Sequence, residues 1–149
     1  MKKSIIPICF VAIALLFSSF TIQNSETPVV LQQSFDIKKL HNYFDKDESG
    51  ELLPITLVTN DYFSDNLSLA MDGKKINLLR SKNDLQDADS EAFVNVTKFK
   101  IRKNTAVLKF KYKTKKVKIK LRKQDGEWIY KTLVVKGDGK MYADTNVQF

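Results

Sequence analysis

Residues 44–56 read FDKDESGELLPIT, and within them Asp45, Asp47 and Ser49 stand at alternate positions just before Gly50. Hard cations bind where several oxygens converge, and this spacing is how a short loop wraps carboxylates and carbonyls around calcium. On that template the first three residues take places one, three and five, Gly50 makes the sharp bend, and Glu51 offers its carbonyl at place seven. Thr56 falls at place twelve, where a bidentate glutamate belongs, so Asp61 or Glu48 would have to substitute. A bound cation would also relieve aspartates facing the negative end of a preceding helix. Asp45, Asp47, Ser49 and Glu51 are therefore candidate calcium ligands. The simpler expectation for the same residues is a polar turn, since Asp, Ser and Gly suit turns in their own right.

A second constellation is cationic. Residues 98–123, KFKIRKNTAVLKFKYKTKKVKIKLRK, hold thirteen Lys or Arg and no acid, whereas 26–97 hold seven basic and thirteen acidic residues. Strand side chains alternate between faces, so Lys109, Lys111, Lys113, Lys118, Lys120 and Arg122 fall on one side of a hairpin. Leu108, Phe110, Tyr112, Val117, Ile119 and Leu121 fall on the other. Like charges facing each other across a sheet repel, and a polyanion would turn that repulsion into attraction while releasing its counterions. The six cations are thus candidate polyanion-binding residues, for an acidic polysaccharide, a phosphate-bearing lipid or another polyanion. Nucleic acid is disfavoured, because Phe110, Tyr112 and Trp128 point inward and leave no stacking platform. The plainer expectation is a lysine face that keeps the sheet soluble and its edges unpaired. The acidic first half of a second copy could dock there instead, giving a homo-oligomer.

Little else offers chemistry. The chain has one histidine, His41, and one cysteine, Cys9, so neither a nucleophile dyad nor a zinc ligand set can be assembled. The five glycines are scattered among turns rather than gathered in a phosphate loop. Asp61 and Asp65, beside Tyr62 and Phe63, are the remaining carboxylate pair of interest. These observations argue for a protein that binds rather than one that catalyses, with no cofactor beyond the candidate calcium.

The elements that would position these groups follow from composition. The opening MKKSIIPICFVAIALLFSSFTIQNS has a positive end, an apolar centre and small polar residues, the layout of a secretory signal over 1–25, with an uncleaved anchor as the alternative. Cys9 lies inside the apolar run, without the residues that precede a lipidated cysteine. Export to the periplasm, the cell surface or the medium is expected, followed by one domain over 26–149. That domain has no cysteine, so packing alone must stabilise it. Apolar residues at Leu31, Phe35, Leu40, Tyr43 and Phe44 predict an amphipathic helix over 28–44, carrying a partly exposed His41. Extended segments follow at 55–58 and around the Asp72-Gly73 turn, then a meander at 93–101, 106–113, 117–123 and 127–135.

The expected fold is α+β: an N-terminal helix packed on an antiparallel sheet that ends in a four-strand meander. An all-β sandwich or barrel is the alternative. The stretch AVLKFKYKTKKVKIKLRKQDGEWIYKTLVV, with Asp125, Gly126 and Trp128 at its last turn, resembles the terminal meander of cystatin-like and nuclear-transport-factor-like α+β rolls. That resemblance implies a fold but no activity, since those rolls serve diverse functions. The general layout is similar to that of small exported bacterial proteins without assigned roles. The expected function is an exported, non-catalytic binding protein for polyanions. A weak divalent-cation binder and a carrier of small apolar ligands are the alternatives.

Overall fold

The computed structural model describes residues 26–84 and 93–146, so the signal-peptide expectation lies outside the described residues. None of the described helices is long and apolar enough to cross a membrane. In chain order, helix α1 covers 26–35 and α2 Lys38–His41. Short strands follow: β1 Thr56–Val58, β2 Ala70–Met71, β3 Lys74–Lys75 and β4 Asn77–Leu79. After a 3₁₀ turn at Lys82–Asp84 come five longer strands: β5 Phe93–Arg102, β6 Thr105–Tyr112, β7 Lys115–Gln124, β8 Glu127–Gly137 and β9 Lys140–Thr145.

The meander forms because its residues alternate apolar and charged while two-residue turns reverse the chain. Asp125 and Gly126, at φ 51° and 85°, and Asp138 and Gly139, at 51° and 72°, take the positive angles that such turns require and that glycine adopts without a Cβ clash. The turn between β6 and β7 is Lys113-Thr114, so Lys113, expected to end the strand over 106–113, lies in the turn, and β7 begins two residues before the expected 117. β9 was not anticipated. Its sequence signal is Asp138-Gly139, the same dipeptide type that marks the preceding turn.

The strands β4-β1-β5-β6-β7-β8-β9 form one seven-stranded sheet, while β2 and β3 pair separately around Asp72-Gly73. The large sheet is mixed. β1 runs parallel to both β4 and β5, and every later neighbour is antiparallel.

The expected helix-on-sheet α+β fold is corrected by these elements: half of the structure is strand and 15% helix, in a mixed sheet with two short helices. The single helix over 28–44 does not form as one piece. The apolar spacing explains why: Leu31 to Phe35 is a helical step of four, but Phe35 to Leu40 is a step of five, which no continuous helix keeps on one stripe. Ile37 is extended at ψ 104°, and His41 closes the break by donating from Nε2 to the Phe35 carbonyl at 2.6 Å. That carbonyl is among the unsatisfied groups at the end of α1, so the imidazole acts as its cap. His41 is consequently buried, not partly exposed.

One face of the sheet is covered by the two helices, the β2-β3 hairpin and irregular chain. Phe110 on β6 meets Phe35 at 6.1 Å and Phe44 at 6.3 Å between ring centroids, and Phe44 lies 4.8 Å from Tyr112. Such offset and tilted rings suit the aromatic quadrupole. Gln32 ties α1 to the hairpin by donating to the Ala70 carbonyl at 2.9 Å and accepting from its N–H at 3.1 Å. At the far end Lys123 pairs with Glu26 and lies over Trp128. With that face sealed, the opposite face of the meander is left to solvent.

Candidate functional site: the outward face of the sheet

Register decides which cations become neighbours. Lys98 on β5, Lys109 on β6 and Lys118 on β7 lie directly opposite one another, forming a row of three. Lys111 on β6, Lys116 on β7 and Lys136 on β8 form a second. Neighbouring strands are about 4.8 Å apart, so each row sets lysine stems side by side, with Lys120 and Arg122 continuing along β7. A shallow groove of about 310 Å³ runs among Lys109, Lys111, Lys116, Lys118 and Lys136.

The electrostatic consequence shows at Lys118. Repulsion from Lys120 first, then burial, then Lys109, Lys136 and Lys98, holds its ammonium below the usual lysine range. Among the described residues, none of the cations in these two rows forms an ion pair. The acid on the outward strand positions of the meander is Glu127, at the end of the β7-β8 hairpin opposite Gln124 and beyond Arg122.

Of the six cations expected on this face, Lys109, Lys111, Lys118, Lys120 and Arg122 occupy outward strand positions, opposite in parity to the buried Leu108, Phe110, Val117, Ile119 and Leu121. Lys113 does not. It sits in the turn, where its ammonium pairs with Asp45 and lies 5.8 Å from the centre of the Tyr112 ring. Phe110, Tyr112 and Trp128 are buried, as their alternation required.

Lys98, Lys100, Arg102, Lys116 and Lys136 were missed as members of the face. Lys98 and Lys100 share even-numbered positions with the inward Val94 and Val96, and only a bulge between Val96 and Lys98 turns them outward. The extra residue of a bulge shifts parity by one. The readable signal was the pattern VNVTKFKIR itself, whose apolar positions change from even to odd at Thr97. A second shift between Lys120 and Leu121 brings Tyr130 and Leu133 to the same inward face of β8.

The candidate calcium residues are engaged otherwise. Asp47 Oδ1 accepts from the Ser49 hydroxyl at 2.6 Å, the Ser49 N–H at 2.9 Å and the Glu51 N–H at 3.0 Å. These bonds hold its carboxyl below the usual range, the Ser49 hydroxyl first. The Glu51 carbonyl accepts from Asp47 N–H at 2.8 Å, and its carboxylate pairs with Lys74 at 2.9 Å. Asp45 pairs with Lys113, which lowers its pKa. Lys46 and Leu52 bridge in antiparallel fashion, so the stretch is a tight hairpin closed by its own polar groups. Asp61, the proposed substitute, is held by Arg80 at 2.5 Å. No group of three acidic, histidine or cysteine residues gathers to hold a metal ion among the described residues.

Another cluster lies at the sheet edge: Asp144 on β9 receives Lys39 Nζ at 2.7 Å and the Tyr130 hydroxyl at 3.0 Å. The Lys39 bond chiefly holds its carboxyl low. Every polar tip there is paired, and it ties α2 to β8 and β9.

Comparison with protein-family models, with curated proteins and with solved structures found no match for this chain.

Proposed function

We propose that the protein is an exported, non-catalytic binding protein whose outward sheet face holds a polyanion. The observation that carries this reading is the pair of three-lysine rows, set by strand register and left without carboxylate partners among the described residues. A sheet that faces cations squarely against one another gives up some stability in the free state. An anion with repeated charges removes that repulsion and gains from counterion release, so its binding weakens steeply with salt. The absence of exposed aromatic rings from the two rows favours recognition by charge over recognition by stacking.

His41 supports the non-catalytic part, since the one imidazole in the chain is buried and spends its Nε2–H on a helix carbonyl. An apolar-ligand carrier is less well supported, because Phe35, Phe44, Phe110 and Tyr112 pack ring to ring between sheet and cover.

Chromatography on immobilised heparin tests the reading. The chain is expected to elute at higher salt than from a plain sulfonate resin. Replacing Lys109, Lys118 and Lys136 by Gln should bring the two elution points together. Replacing the exposed Lys46, Lys75 and Lys140 by Gln removes the same charge from other places and should leave the difference intact. Equal behaviour of the two triple variants would show that net charge alone is being read.

A further inference from the structure

We infer that the polyanion is the surface of an anionic bilayer, met flat by the outward face of β6 to β9, with the lysine rows on lipid phosphates and an aliphatic strip beside them entering the headgroup layer. This inference rests on the polyanion reading above and names its partner.

The strip follows from the register. Lys118 faces Val134 on β8, Val134 faces Ala143 on β9, and Lys136 faces Met141, so the rows of ammonium groups run directly into aliphatic side chains on the same side of the sheet. Met141 is 65% exposed, the most exposed large apolar side chain among the described residues. A soluble role gives no reason to place it beside the densest cations of the molecule. Cationic groups adjoining exposed aliphatic ones are what a bilayer surface accommodates: the ammoniums stay with the phosphates while short apolar groups reach the acyl boundary.

Two alternatives fit this surface less well. A polysaccharide or a single-stranded nucleic acid would gain most from exposed aromatic rings, and the cationic rows and the strip carry none. A linear polyanion would also leave Met141 and Ala143 without a role. An extended sheet, by contrast, presents many cations to a planar partner at once, and each lysine near an anionic bilayer raises the partition by about fivefold at low salt.

The experiment is co-flotation of the full chain with vesicles, alongside heparin chromatography of the same preparations. Vesicles containing phosphatidylglycerol in phosphatidylcholine should bind the chain, phosphatidylcholine vesicles much less, and high salt should reverse the difference. Lys109→Gln with Lys118→Gln should weaken binding to anionic vesicles by about 25-fold, fivefold for each lysine lost, and leave the weak binding to phosphatidylcholine unchanged. Val134→Thr with Met141→Ser should weaken vesicle binding several-fold while leaving heparin elution unchanged. Circular dichroism of each variant checks that the sheet persists. Late elution from heparin without a preference for anionic vesicles would overturn the bilayer assignment and leave the polyanion reading standing. Equal binding to neutral vesicles, or full binding by the Val134 and Met141 variant, would overturn it as well. Failure on both heparin and anionic vesicles would remove both conclusions.

Discussion

The meander of β5 to β9 and the chain before it, residues 26–84, which covers the inner face and adds β1 and β4 to the sheet's edge, place their charges by opposite rules. In the covering region carboxylates and cations are matched locally: Lys38 with Asp72, Lys74 with Glu51, Arg80 with Asp61. Glu26 and Asp45 reach across to Lys123 and Lys113 at the two ends of the meander. On the outward face the lysines of the two rows have no such partners among the described residues. The difference teaches that ionic contacts here lie within the cover or between the cover and the ends and edge of the meander, while the outer side is kept as unbalanced charge. Exposed pairs contribute little each, on the order of 1 kcal/mol or less. The cover is therefore held chiefly by its buried rings, and the outer face is available for a partner.

The sharpest way to break that contrast is to loosen the cover. Phe110→Ala removes the ring that meets both Phe35 and Phe44, and should cost about 3–5 kcal/mol in denaturant unfolding. A loss below roughly 1 kcal/mol would mean that the aromatic stack is not what joins the two regions.

A smaller effect is expected on the outer face. The triple Gln variant at Lys109, Lys118 and Lys136 should lower the slope of log affinity for heparin against log salt by about one for each lysine lost. The free protein should gain a few tenths of a kcal/mol for each opposed pair relieved. Unchanged slope together with unchanged stability would erase the distinction between outer and inner charge.

Lys118 gives a finer test through pH. Its folded pKa lies below the usual lysine value, chiefly because of Lys120. Between the two values the unfolded chain binds more protons than the folded one, so stability should rise with pH in that alkaline window, and at neutral pH the repulsion is present in full. A bound polyanion restores the ordinary pKa, so binding should take up protons there and weaken as pH rises through it. Calorimetry in two buffers of different ionisation heat measures the uptake. Proton release would contradict the arrangement.

The smallest effect is expected at the 45–53 hairpin. Millimolar calcium should leave the melting temperature unchanged, because Asp47, Glu51 and Asp45 already accept from protein donors. A clear rise would reassign those oxygens to a cation.

Much of the meander is legible in the sequence. Period-two alternation and two-residue turns are local properties, so the burial of Leu108, Phe110, Val117, Ile119 and Leu121 and the outward place of five of six expected cations were legible. The Asp72-Gly73 hairpin was legible for the same reason. The parallel pairing of β1 with β4 and β5 was not, since its partners lie far along the chain and no turn records the choice. The expected single helix over 28–44 forms as two pieces, because its five apolar residues suit one stripe only until the step of five after Phe35 breaks it.

Sequence alone determined the sign of the charge on 98–123 and its alternation with apolar residues, because both depend only on the order of side chains along an extended backbone. Tertiary structure decided which lysines stand opposite one another, that two bulges keep the faces consistent, and that Lys113 leaves the face to meet Asp45. Those outcomes depend on register and on contacts between distant segments, where a shift of one residue exchanges the two sides of a strand.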